Sequence, residues 1–496
     1  MNETTDCENE DLTHSELSFL KELEKYSFDS KMIICQRFAS RIMSKSEVNM
    51  QLAFYNNIMP WELETFAAFS VVYDIEGVLC EIDLETFSRI ITKIRNYWHP
   101  ELTIAESNGT YSDVFMMITA LQQFPVQGVF LQKLFRYNYF FNFSNSNINM
   151  KTKFYQKFKA PYMDYLVFAF IIFLYCSHEA HISGEAEECQ RLMSKAFKMD
   201  NVFRILCIEK EEYKRQLTSL YKNNELDFYF GLKIQYVYPL ISGPDFTYIP
   251  SPYLVINAVT ESLLNRITFK DNHLRNAFGK EVIENYLFDI YKEAPDVKWI
   301  SLEIIYKIGK AEKRTPDLLV SERNYCTFYD TKALTPNLKI RQFDQEEIDR
   351  EIKIYAEDIL QVYQQIKNYL KGKFSLNEVY DKSHIFGVVV VLEDAVLPRH
   401  IVYNKVYELL QEKSEIITQN EKDYIHSHIK IVPLREIELM VLQNMSFLPC
   451  LLKQENDPNQ WDSLTFSTAN TQYGLLPMYE KFVSEIKSKV KEYLQK

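Results

Sequence analysis

Apolar residues recur at steps of three and four through most of the first 230 positions. Glu16–Lys25, Leu84–Tyr97, Tyr111–Gln122 and Ala186–Phe197 all carry this period, which predicts helices with one buried face. Strand-like alternation is scarce there, and no internal repeat stands out. The segment FNFSNSNINMKTK (141–153) is polar and rich in Asn and Ser, which predicts a loop. The longest apolar run, Tyr165–Cys176, is short of the ~20 residues a bilayer demands, so a buried helix is expected there.

The pattern changes after YPLISGPDFTYIPSPY (238–253), the densest cluster of Pro and Gly in the chain. Leu274–Tyr291 has the helical period. Lys298–Ile308, Asp317–Ser321 and Cys326–Leu334 read as strands. Asp344–Leu370 reads as a long helix, with Asp344 and Glu347 at capping-box spacing and Ile348, Ile352, Tyr355, Ile359, Tyr363, Ile366 and Leu370 along one face. The run IFGVVVVLED (385–394) suits a strand covered on both sides. Ile401–Lys413 and Met478–Gln495 look helical, and His428–Pro433 suits a short strand. The expected fold is therefore α + α/β. A helical accessory domain (1–245) precedes an α-β-β-β-α-β core (246–400), and a mixed C-terminal extension (401–496) packs on that core.

Composition changes this picture little. Only 11 Gly and 16 Pro in 496 residues favour long helices over a many-turned β fold, and 33 Tyr with 34 Phe are spread along the chain as core material. The net charge of −12 excludes coating nucleic acid with the whole surface, so any such contact must be local. The 8 Cys show no framework spacing and the acidic start lacks a signal-peptide pattern, so reduced thiols in a cytoplasm are expected, with no membrane span.

The chemistry concentrates in TPDLLVSERNYCTFYDTKAL (315–334). Folded as a hairpin turning between Arg323 and Asn324, opposed residue numbers add to 647, and Asp317 faces Asp330. Opposed residues share a face with Cβ atoms ~5 Å apart, and Lys332, two further on, shares it too. Thr331 is expected to point away, leaving its carbonyl available. Two carboxylates this close raise each other's pKa unless a cation neutralises them. Mg²⁺ suits such oxygen ligands, and Lys332 can orient or deprotonate a water or stabilise charge on a phosphate. The competing reading is an exposed hairpin with solvated charges.

Pro316-Asp317 followed by Asp330-Thr331-Lys332 resembles the signature of the PD-(D/E)xK, restriction-endonuclease-like superfamily, over about residues 270–395. The resemblance implies a Mg²⁺-dependent nuclease (Mn²⁺ as a substitute) with Asp317 and Asp330 as metal ligands, helped by the Thr331 carbonyl, and Lys332 as the catalytic lysine. It also implies a glutamate on the preceding helix. Glu284 lies about 110° from the apolar centre of that helix and Glu281 about 170°, so Glu284 is the choice. QIKNY, with Gln365 and Tyr369, looks like the Q-x-x-x-Y element of RecB-like nucleases and is a candidate substrate contact; Gln361 and Gln364 compete with it. Lys307, Lys310, Lys313 and Arg314 before Asp317, and Lys339 and Arg341 after Lys332, could follow a phosphate backbone, Arg314 and Lys339 most directly.

CSHEAH (176–181) with Cys189 suits a helix end better than a zinc site, since it lacks HExxH spacing. No P-loop and no GxSxG is present. The leading expectation is a nuclease acting on nucleic acid, DNA ahead of RNA; by family analogy it serves restriction or anti-phage defence, as a homo-oligomer or with a partner subunit. The second reading is a non-catalytic, nuclease-like scaffold. The third is a helical adaptor in which Asp317 lies far from Asp330.

Overall fold

The computed structural model describes residues 17–44, 58, 60–97, 130–177, 200–220, 234–243, 247–335, 340, 344–395, 397–413, 417–456 and 474–495. The helices expected at Tyr111–Gln122 and Ala186–Phe197 lie outside these residues, as do His178, His181, Cys189, Lys339 and Arg341.

The N-terminal part is helical, with Phe28–Ser44, Pro60–Val72, Leu84–Tyr97, Phe130–Asn142, Met150–Phe158 and Tyr162–Ser177 among its members. Leu17–Lys25 winds as a 3₁₀ helix. The polar segment expected as a loop over 141–153 is shorter, because Asn149 caps Met150–Phe158 by accepting the Thr152 N–H at 2.8 Å. The apolar run from Tyr165 is helical and buried through Ile172, and no helix among the described residues is long and apolar enough to cross a membrane. Short strands Cys207–Glu209, Leu240–Ser242 and Thr247–Tyr248 form a small sheet.

The chemistry-bearing segment lies in a mixed α/β unit. It comprises α1 (Glu284–Glu293), β1 (Val297–Leu302), β2 (Ile305–Ile308), β3 (Ala311–Arg314), β4 (Leu318–Glu322), β5 (Tyr325–Lys332), α2 (Gln345–Leu370), β6 (Ile385–Val391), α3 (Arg399–Glu412), α4 (Gln419–His428) and β7 (Ile429–Pro433). Five strands form one sheet in the order β7-β6-β5-β4-β1. β7, β6 and β5 run parallel; β4 is antiparallel to both β5 and β1.

Burial follows the strand period. Leu318, Val320 and Tyr329 face a core shared with the N-terminal helices, α5 (Leu434–Val441) and α6 (Pro477–Gln495). Leu319, Cys326 and Phe328 face the opposite way, against α2, α3 and α4. β6 is buried along its whole length, as a strand covered on both faces must be.

Four features depart from the expected pattern. Lys298–Ile308 is not one strand. Thr315 N–H donates to the Ile304 carbonyl at 3.0 Å, and Ile304 N–H donates to Thr315 Oγ1 at 2.8 Å, so β2 and β3 leave the sheet as a side hairpin and rejoin at Thr315. Tyr306 of that hairpin packs on Phe374, with ring centroids 4.8 Å apart. The helix expected at Leu274–Tyr291 contains a π-helical stretch, Phe278–Ile283, just before α1. Such an insertion changes the helical phase and is frequent at functional sites. Its Gly279 lies against Ala333, the residue after Lys332.

The sheet also continues past residue 400, because β7 pairs in parallel with β6 through the long α3–α4 crossover that a parallel neighbour requires. Finally, the Pro-rich stretch 238–253 marks a change of element type without a break in the core, since one apolar cluster runs from Leu20 to Val490. Buried Arg136 reinforces that continuity. Its guanidinium bonds both carboxylate oxygens of Glu438 at 2.9 Å and Glu393 at 3.2 Å, while Tyr286 donates to Glu438 at 2.7 Å.

Gly387 of β6 tests this packing. A Cβ there would meet Val362 Cγ1 of α2 at 2.5 Å and Ile429 at 3.3 Å. A helical Val has little rotamer freedom with which to yield. Gly387→Ala is therefore expected to lower unfolding stability by about 1–3 kcal/mol, as read from denaturant midpoints.

Candidate active site

The β4–β5 hairpin closes through Arg323 and Asn324, with Arg323 at φ 55°. Leu318 faces Tyr329, Leu319 faces Phe328, Val320 faces Thr327, Ser321 faces Cys326 and Glu322 faces Tyr325. This is the register expected from the sequence. One step beyond the first pair, at a bend after Pro316, Asp317 stands across from Asp330.

Asp317 Oδ2 accepts the Thr331 backbone N–H at 2.7 Å and the Thr331 hydroxyl at 3.0 Å. The expectation that Thr331 points away from the acids is thus corrected. Asp317 precedes the strand, and its carboxylate supplies the acceptor that the Thr331 N–H needs at the open end of the ladder. The hydroxyl follows it.

Lys332 Nζ lies 2.8 Å from Asp330 Oδ2 and 3.3 Å from Asp358 Oδ1. It also donates to Gln361 Oε1 at 3.4 Å, and Gln361 Nε2 donates to Asp330 Oδ1 at 3.1 Å. Asp358 and Gln361 are three residues apart on α2, and so share a face. Asp330 is almost wholly buried, at 2% side-chain exposure, while Lys332 retains 24%.

Burial, then the Asp330 charge, pushes the Asp317 carboxyl up to about 7. Burial, then the Asp317 charge, pushes Glu284 up to about 9. Burial raises Asp330 and Asp358 as well, against the pull of Lys332. Burial would lower Lys332, but Asp330 and Asp358 outweigh it and hold the amine above its ordinary value, as an ammonium.

Glu284 opens α1 directly after the π stretch and is electrostatically tied to Asp317. Glu281 turns elsewhere, accepting Asn145 and Asn147 side-chain amides at 2.7 and 2.8 Å. Arg314 reaches the edge of the site through Glu303, which it holds at 2.7 Å and whose charge raises Glu284 and Asp330. Lys307, Lys310 and Lys313 are exposed on the side hairpin.

Gln365 and Tyr369 are not brought to the acids by any hydrogen bond or ion pair among the described residues. Gln365 is buried one turn beyond Gln361. Tyr369 accepts the Tyr380 N–H at 2.8 Å and packs on Phe328 and Phe374. Asp358 and Glu303 are the residues the pattern did not single out, and Gln361, which the sequence offered as a competitor to Gln365, is the glutamine that bonds Asp330. A readable trace of Asp358 existed, since it falls between Tyr355 and Val362 in the buried stripe of α2, where an acid without a task is costly.

Among the described residues, no three His, Cys, Asp or Glu side chains are grouped to hold a metal ion. The ammonium of Lys332 fills the place beside Asp330 that a cation would take. The donor chemistry nevertheless suits a divalent ion: hard carboxylate oxygens outnumber the Lys332 ammonium, and Oδ2 of Asp358 is buried without accepting a hydrogen bond. Comparison with protein-family models, curated proteins and solved structures finds no match.

The raised Asp317 pKa has a consequence for stability without metal. Its folded value, about 7, lies above its ordinary 3.8, so its charge costs stability that is absent below that ordinary value and grows as pH rises through about 7. Asp317→Asn is therefore expected to raise Tm in EDTA at pH 8 by a few degrees and to leave it unchanged at pH 4. Calorimetry at both values reads this directly, and equal shifts at both would point to packing instead of charge.

Proposed function

We propose that this chain is a metal-dependent nuclease of the PD-(D/E)xK kind, hydrolysing phosphodiester bonds with Mg²⁺ or Mn²⁺ and acting on DNA ahead of RNA. One observation carries the reading: the register sets Asp317 across from Asp330 with Lys332 two residues on. Support comes also from Glu284 at the head of α1 and from the element order α1-β1-β4-β5-α2-β6, interrupted by the side hairpin.

In this reading Asp317 and Asp330 would hold the ion, with Glu284 and the Thr331 carbonyl completing the set. When bound, the ion supplies a Lewis acid and a more acidic water. The protein's own groups do the rest. Lys332, held as an ammonium while it faces Asp330 and Asp358, would orient the attacking water and stabilise charge on the phosphoryl oxygen. Thr331 keeps Asp317 aimed through two hydrogen bonds. Gln361 does the same for Asp330. The exposed lysines of the side hairpin and Arg314 give a local basic surface to a chain of net charge −12.

A non-catalytic, nuclease-like binding subunit is the second reading. The Lys332–Asp330 contact favours it, because a lysine settled on an acid neutralises the site without any metal.

Plasmid, single-stranded DNA and RNA incubated with Mg²⁺, Mn²⁺ or EDTA decide between them. The nuclease reading expects metal-dependent cleavage that falls by about 10²-fold or more in Lys332→Ala. Cleavage indifferent to EDTA or to this substitution would contradict it. Binding without cleavage under every condition would establish the second reading.

A further inference from the structure

Among the described residues, the one basic side chain in contact with Asp330 touches two carboxylates at once. Lys332 Nζ sits 2.8 Å from Asp330 and 3.3 Å from Asp358. A lysine shared between a metal ligand and a second acid has somewhere to go when a cation arrives. We infer that Asp358 is a positioning residue, a standby partner on α2 that receives Lys332 when a divalent cation displaces it from Asp330. This rests on the metal reading of Asp317 and Asp330.

Three features of the structure support it. Asp358 lies in the inward stripe of α2 between Tyr355 and Val362, yet its Oδ2 is buried and accepts no hydrogen bond, so an acceptor atom is in reserve. Gln361 bridges the two arrangements: its Oε1 accepts from Lys332 at 3.4 Å while its Nε2 donates to Asp330 at 3.1 Å. The lysine has room to swing, being the partly exposed member of the pair.

The physical reason is competition between cations. An ammonium on Asp330 and a divalent ion on Asp330 repel each other, so metal binding must break the Lys332–Asp330 contact. Breaking a buried pair is costly when it strands a charge. With Asp358 already at 3.3 Å the ammonium keeps a partner throughout, so the loss on metal entry is small. The same hold keeps Lys332 beside the reacting phosphate, instead of letting the long side chain drift into solvent.

The test is Mn²⁺ affinity of the full-length protein without nucleic acid, by calorimetry, for wild type, Lys332→Met, Asp358→Asn and the double variant, with a thermal melt of each. Lys332→Met is expected to bind Mn²⁺ more tightly, because a competitor is gone. Asp358→Asn is expected to bind it at least about fivefold more weakly while Lys332 is present, and to change affinity less than about twofold once Lys332 is Met. Asp358→Glu, which keeps the charge, should restore most of the affinity. Lys332→Gln replaces Lys332→Met if the latter does not fold. An equal loss from Asp358→Asn in both backgrounds would show that Asp358 acts on the ion itself, and no loss in either would remove its role; each overturns the inference and leaves the metal site standing. No Mn²⁺ binding by any variant would overturn the metal reading, and the inference with it.

Discussion

Asp317, Asp330 and Asp358 all act on the Lys332 ammonium, Glu284 adds its charge beside Asp317, and that excess of acid governs this part of the molecule. A buried carboxylate resists ionisation, and each neighbouring charge adds to the resistance. The raised values of Asp317 and Glu284 are the result. Such an arrangement costs stability, and replacing one acid by its amide would relieve it. In the proposed metal site the same repulsion would become affinity for a divalent cation.

Everything around the acids serves to hold them there. The two-residue turn at Arg323–Asn324 sets the register, and a slip of one residue would send Asp330 and Lys332 to the opposite face. α2 caps that face with an apolar stripe into which Asp358 and Gln361 are set. The π stretch brings Gly279 against Ala333 and leaves Glu284 within electrostatic reach of Asp317. From the other side of the sheet, Arg275 donates to the Ala333 carbonyl at 2.9 Å, and the Arg136–Glu393–Glu438 cluster ties the N-terminal helices to the same strand ends. The helical half is thus part of the scaffold on which the site is built.

How legible this was differs from residue to residue. Asp317, Asp330 and Lys332 were readable because a tight hairpin leaves the register no freedom, and strand periodicity then assigns faces. Glu284 was readable from helical phase, although the π stretch next to it was not. The Thr331 side chain escaped because period-two logic holds inside a ladder, and Asp317 stands just outside one. Asp358 escaped for a different reason: it reaches the site through tertiary packing of α2, and a polar residue in an apolar stripe does not say which strand it will meet, which is also why Gln361 stood only as an alternative to Gln365. Gln365 and Tyr369 had the right spacing on the right helix, one turn too far along. The side hairpin was read as the continuation of β1 because its apolar alternation is the same; only the Thr315–Ile304 clasp separates them.

In the proposed metal site Lys332 holds Asp330 until a cation displaces it. Diffraction from crystals of the full chain soaked in Mn²⁺, recorded at the manganese edge, would show that exchange. An anomalous peak coordinated by Asp317 and Asp330, with Lys332 Nζ moved off Asp330, is expected. Saturating Mn²⁺ with no peak between these residues, and Lys332 still in contact with Asp330, would contradict it.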